Sequence, residues 1–225
     1  MPDSGDVTRP AWSWAADSGN VRLRFLGRNA PRRAEDLRHH LEPRPDALGW
    51  LRQVHSNRVL EARPGLAGEG DALFTSRENL ALTIATADCV PVLLAAGELI
   101  AAAHAGWRGL VQGVLSATLS RLTVAPSAVE AWIGPAIGPC CYQVGADVAA
   151  RLEAVGDAGA VATRPGRNPH VDLHAIALHQ LRALGIETIH RIDLCTKCNP
   201  DLLWSYRGEG ERAERNWAVI WRGEM

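Results

Sequence analysis

The stretch Leu80–Gly109, LALTIATADCVPVLLAAGELIAAAHAGWRG, decides the fold. Its apolar runs Leu80–Ala85 and Pro91–Ala96 are too short for capped helices and fit strands buried on both faces. Gly97-Glu98 turns the chain into a third run, Leu99–Ala103. Thr86, Asp88 and Cys89 lie between the first two runs, and His104 follows the third. Polar and soft-ligand side chains therefore collect at the ends of core strands. Gly106 and Gly109 bracket Trp107-Arg108. Glycine lets backbone approach a ligand closely, and Arg108 offers a planar donor fork to an oxyanion or a carboxylate.

Taken singly, Cys89 reads as a small buried hydrophobe and His104 as a core histidine. Their company changes the reading. His55 sits between the apolar runs ending at Val54 and starting at Val59, again at a strand end. One thiolate and two imidazoles make a three-ligand zinc set with a fourth position open for water or substrate. The same donors also bind copper. Their spacing is not a compact motif.

Working outward, the 225 residues suit one domain, residues 1–225, with residues 1–10 as a loose tail. Short strands alternating with three or four helices predict a single α/β or α+β domain. A net charge of -1 gives no case for a nucleic-acid or membrane-surface partner. No apolar run approaches the roughly 18 residues of a spanning helix, and the acidic N-terminus is not a secretory signal. A cytoplasmic location is the expectation. Five cysteines, an odd number, do not form a disulfide framework.

Along the chain, strands are expected at Val21–Phe25, Leu48–Val54, Arg58–Ala62, Val129–Ile133, Ile186–Leu194 and Trp217–Trp221. Helices are expected over Ala34–Leu41, Val111–Leu122, after Gly145, and over Leu173–Leu184 with Gly185 as its cap. Gly65–Gly70 and Gly156–Asn168 read as loops. Asp71 either bonds its own turn or serves the site. A helix starting beside Arg108 would add backbone N–H groups to its guanidinium, a combination that suits phosphate. His170, His174 and His179 read as surface residues. Cys195-Thr196-Lys197-Cys198 invites a zinc or redox reading. A four-cysteine zinc is excluded unless Cys140 and Cys141 converge on it, and Cys195 and Cys198 are expected to be structural, reduced and metal-free.

Gln53-Val54-His55, Thr86–Pro91, His104–Gly109, Ile133–Tyr142 and Asp201–Arg207 together resemble the signature blocks of the YfiH family, the polyphenol oxidase or laccase-domain proteins. The resemblance runs from Gly49 to Ile220. It departs near Leu26–Ala30, where relatives carry a Gly-Gly-Val-Ser-like loop. It implies a layered sandwich of mixed β-sheets flanked by helices. It also implies zinc on His55, Cys89 and His104, and phosphorolysis of purine nucleosides with adenosine deamination. Purine nucleoside and phosphate are then the small-molecule partners, with no protein partner implied. Cys89, His104, Asp88 and Arg108 are the expected catalytic residues, Asp88 as general acid or base. Arg108, Arg215, Arg207 and Trp107 are the expected substrate and phosphate contacts. The rival readings are a copper polyphenol oxidase and a factor that edits peptidoglycan precursors.

Overall fold

The computed structural model describes residues 12–164 and 166–223. The expected tail at residues 1–10 lies outside them. Two six-stranded mixed sheets dominate. The first runs β1 (Ser13–Ser18), β2 (Val21–Leu26), β14 (Asn216–Arg222), β7 (Leu80–Thr86), β3 (Ala47–Arg52), β5 (Gly65–Glu69). It is antiparallel from β1 to β7, and β3 is parallel to both β7 and β5. The second runs β13 (Thr188–Arg191), β10 (Glu130–Ile133), β8 (Val90–Ala96), β9 (Leu99–Ala105), β6 (Ala72–Thr75), β4 (Val59–Glu61). Its two outer pairs are parallel and the rest antiparallel.

Alternation sorts each strand's side chains between two faces. Leu82, Ile84, Leu93 and Ile100 pack between the sheets with Phe25, Trp132 and Ile220. Their neighbours Val92, Leu94, Ala101 and Ile133 pack with residues of α1 (Trp107–Val111), α2 (Val114–Leu119), α3 (Ala146–Glu153) and α4 (Leu173–Ala183). On the other side, Ala81, Val219 and Trp221 pack with Leu37 and Leu41 of the 3-10 segment Ala34–His40 and its end. Cover on both faces is why the central strands read as unbroken apolar runs. Each fully buried Leu or Ile contributes about 1.5–3 kcal/mol over its exposed state.

Several local expectations are corrected. The single helix over Val111–Leu122 starts earlier, at Trp107, and breaks at Gly113, whose φ of 78° is left-handed. Gly65–Glu69 is an edge strand rather than a loop, made by parallel pairing with β3. Within the Gly156–Asn168 loop, Val161–Arg164 (β11) pairs with Arg167–Val171 (β12) as a hairpin. The strand expected over Ile186–Leu194 is only Thr188–Arg191, and Ala34–Leu41 is 3-10 rather than α-helical. β1 has no counterpart in the sequence reading. His174 is buried, not on the surface, and its Nε2–H donates to the Gly134 carbonyl at 2.9 Å. Cys140 and Cys141 do converge on Cys195 and Cys198, so the ground for expecting a metal-free pair is gone.

The chain crosses from the first sheet to the second three times, the shortest at Gly70-Asp71 between β5 and β6. Gln53–Arg58 links β3 to β4, and Ala87-Asp88-Cys89 links β7 to β8. The β8–β9 register pairs Pro91 with His104, which brings the end of β9 beside the Ala87–Cys89 crossing.

Candidate metal centre and substrate cavity

Asp71, the residue before β6, is fully buried (0% exposed). Its Oδ1 accepts the His55 N–H at 2.9 Å and lies 2.8 Å from His104 Nδ1. Its Oδ2 accepts the Ser56 N–H at 2.6 Å, the Ser56 hydroxyl at 2.7 Å and the Val54 N–H at 3.3 Å. One carboxylate thus shapes the first crossing and orients an imidazole from β9. These bonds hold His55 at a φ of 58°, in a region a residue with a side chain seldom enters. With His104 Nδ1 engaged by Asp71, Nε2 is the nitrogen left for a ligand role.

Donor atoms of His55, Cys89 and His104 lie within 4.8 Å of one another. The two imidazoles meet edge-on, with 4.9 Å between centroids. Gly106 makes room for them: a Cβ there would stand 2.9 Å from Cys89 Sγ and 3.1 Å from His55 Cδ2. His104 is buried and His55 exposed, so the cluster opens outward on the His55 side.

The three groups tune one another. Burial pushes the Cys89 thiol up, but the charge and hydrogen bond of His104, then those of His55, bring it down to about 6. Burial pushes His104 down, but the Cys89 thiolate and the Asp71 hydrogen bond raise it to about 9. Burial also pushes the Asp71 carboxyl up, and the bonds from His104 and Ser56 outweigh it, holding it at about 2. A thiolate flanked by two imidazoles and backed by a carboxylate is the donor set of a soft-borderline metal such as zinc.

This cluster forms part of the wall of a cavity of ≈ 420 Å³. Every residue expected from the sequence lines it: His55, Asp88, Cys89, His104, Trp107, Arg108, Arg207 and Arg215. Arg108 lies over the Trp107 ring at 4.5 Å. Arg207 lies over the Tyr142 ring at 4.8 Å and donates to the Gln143 carbonyl. Among the described residues none of the three arginines pairs with a carboxylate. The helix behind Arg108 has only five residues, so its dipole adds little and the guanidinium groups carry the attraction for anions. A larger cleft of ≈ 550 Å³, around Asn57, Arg58 and Arg121, has no thiol, imidazole or carboxylate in its lining.

Asp88 enters the cavity wall with a φ of 99°, and both its oxygens are engaged. Oδ1 accepts the Thr196 hydroxyl at 2.6 Å and Oδ2 the Arg207 N–H at 2.7 Å. Those two bonds tie the Asp88 crossing to the Thr196 segment and to Arg207. Sequence reasoning gave no role to Gln53, Tyr142 or Tyr206, which also line the cavity. Gln53 bonds both the N–H and the carbonyl of Ala85, locking the first crossing to β7. Burial, then the Cys89 charge, pushes the Tyr142 phenol up to about 12. Gln53 and Tyr142 stand inside the quoted signature blocks, the signal that pointed to them.

The profile of the family described as multi-copper polyphenol oxidoreductase laccase matches residues 28–223. A purine nucleoside phosphorylase of Pseudomonas aeruginosa is 37% identical over 197 residues, covering 85% of this chain and 81% of the relative. Purine nucleoside phosphorylase YfiH of Escherichia coli is 37% identical over 183 residues, covering 78% and 75%. Among solved structures, a Neisseria meningitidis protein of the DUF152 family superposes with a TM-score of 0.78 at 27% identity, over 94% of this chain and 99% of that one.

Proposed function

The chain belongs to the multi-copper polyphenol oxidoreductase laccase family, and from that premise we propose that it is a zinc-dependent purine nucleoside phosphorylase. Relatives bearing that name support a small-molecule nucleoside substrate. One observation carries the reading. The His55–Cys89–His104 donor set opens onto a cavity that also holds three arginines with no carboxylate partner among the described residues. Phosphorolysis needs a small anion held beside a neutral nucleoside, and that cavity offers both surfaces.

His55, Cys89 and His104 would hold the metal. Zinc bound there supplies Lewis acidity. Arg108, Arg207 and Arg215 bind phosphate by charge-assisted N–H donation. A phosphate oxygen attacks C1′ of the ribose. The C1′–N9 bond breaks, its electron pair leaves with the base, and the base gains the proton that monohydrogen phosphate gives up. The products are free purine and ribose 1-phosphate. Asp88 positions the Arg207 backbone, and Tyr142, kept protonated, is a donor on the cavity wall. Trp107 supports Arg108 from below. In the same cavity water would replace the 6-amino group of adenosine, giving inosine and ammonia.

The donor count favours zinc over an oxygen-reducing copper cluster. Of eight histidines, two reach the site, fewer than a multicopper centre requires.

The test is product chromatography with inosine and adenosine across a phosphate series. Base release should require phosphate and saturate with it. Arg108→Ala should weaken apparent phosphate affinity by roughly tenfold or more, since a charge-assisted contact is worth about 1.5–3 kcal/mol. Arg108→Lys should restore it only in part, because an ammonium lacks the two-pronged donor. Equal base release without phosphate would make the protein a hydrolase. An inert zinc form beside a copper form that oxidises phenols would make it an oxidase.

A further inference from the structure

Four of the five cysteines lie outside the site just described, and they meet. Cys140 and Cys141 sit on the loop after β10, and Cys195 and Cys198 on the segment after β13. Their four sulfurs lie within 4.8 Å of one another. Cys198 Sγ is 3.5 Å from Cys140 Sγ and 3.4 Å from Cys141 Sγ. All are free thiols. A tetrahedron of thiolates about 2.3 Å from zinc has edges of about 3.8 Å, so the observed cluster is already near the size of such a cage.

The backbone builds this arrangement. The Cys141 and Tyr142 N–H groups both bond the Gly138 carbonyl, a tight turn that carries the adjacent cysteines to one side. Ala136 bridges to Cys195 in parallel, and the Thr196 N–H bonds the Ala136 carbonyl. Gly138 N–H donates to Cys195 Sγ at 3.2 Å, the kind of bond that supports a thiolate. A Cβ at Gly138 would stand 3.4 Å from Cys140 Sγ and 3.6 Å from Cys195 Sγ. Asn199 caps the Cys195 carbonyl at 2.8 Å.

We propose that Cys140, Cys141, Cys195 and Cys198 form a second, four-thiolate zinc site. Four protein ligands leave no position open, so the site is structural rather than catalytic. It fastens the segment that brings Tyr142 to the cavity wall to the segment that supports Asp88. Tyr142 follows Cys141 directly. Thr196, between Cys195 and Cys198, holds Asp88, which in turn holds Arg207. The proposal does not rest on the nucleoside reading.

The deciding sample is the full chain carrying Cys89→Ser, which disables the first donor set and leaves the second intact. Prepared with zinc and desalted, it should keep about one zinc per chain with all-sulfur ligation by X-ray absorption. Wild type should keep about two, and Cys140→Ser/Cys198→Ser about one, now with mixed nitrogen and sulfur ligation. In wild type, the four thiols should resist alkylation until a strong chelator is added, a measurement that needs no variant to fold. No tightly held zinc in Cys89→Ser, nitrogen or oxygen ligation there, a disulfide among the four, or immediate alkylation without chelator would each overturn the site. None of these outcomes depends on whether the enzyme cleaves nucleosides.

Discussion

Asp71 connects five donors to two carboxylate oxygens, and four of those donors belong to His55 or its two neighbours. Asp71→Asn preserves volume but turns one acceptor into an NH₂ group facing donors. In place of Oδ1 the NH₂ faces the His55 and His104 donors, and in place of Oδ2 it faces those of Val54 and Ser56, so either way the donor set loses a support. Metal affinity should fall by about 10–100-fold, the usual cost of losing a partner that orients a ligand. Chelator competition measures it, with circular dichroism to confirm the fold. An unchanged affinity would mean that the crossing loop holds its shape without the carboxylate. His174 offers a separate test. Burial lowers its pKa in the folded chain, so below about pH 6.5 the unfolded state takes up a proton that the folded state resists. Its contribution to stability is complete above that pH and is lost as acid is added. One such group adds at most about 1.4 kcal/mol per pH unit. His174→Gln retains a donor for the Gly134 carbonyl without titrating. Urea unfolding of the variant should show a shallower loss between about pH 7 and 5 than wild type does. Equal slopes would show that His174 titrates alike in both states.

At the scale of elements, two glycines near α1 separate packing from backbone strain. Gly106 has a φ of -71°, which alanine adopts freely, but its Cβ would press on Cys89 and His55. Gly113 has a φ of 78° and nothing within 4 Å of a Cβ. Gly106→Ala should therefore reduce metal affinity on the order of tenfold while leaving the backbone unstrained. Gly113→Ala should lower stability by about 1–2 kcal/mol, the cost of a left-handed residue with a side chain, and leave metal affinity alone. Titration and thermal melting of both proteins would check the pair, and the reverse pattern would refute the assignment. The same elements show what the sequence makes legible. β7, β8 and β9 were readable because cover on both faces writes an unbroken apolar run. β5 was not, because an edge strand with Gly65 and Gly68 is held by backbone pairing, which leaves no pattern in side chains. The break between α1 and α2 was hidden for a related reason: apolar spacing continues through Gly113, and only its φ interrupts the helix. In the site, His55, Cys89 and His104 stood out as reactive types at strand ends. Asp71 did not, since its partners come from residues 54–56 and 104, a proximity created where the chain crosses between the sheets.

For the whole molecule, those crossings matter most. His55 and Cys89 lie where the chain passes between sheets, and His104 ends a strand of the second sheet. The first donor set therefore exists only when both sheets are assembled on their shared face of Leu82, Ile84, Leu93 and Ile100. A metal that binds only this assembled state stabilises both sheets together. At a free concentration a hundredfold above the dissociation constant, the gain is about 2.7 kcal/mol. For a chain of this size that raises the melting temperature by about 5–11 °C. If the chain is one domain, scanning calorimetry should show one transition with chelator present, and the whole of it should move upward when zinc is restored. Two transitions, or a zinc response confined to part of one, would mean that the sheets unfold separately and that the single-domain reading is wrong.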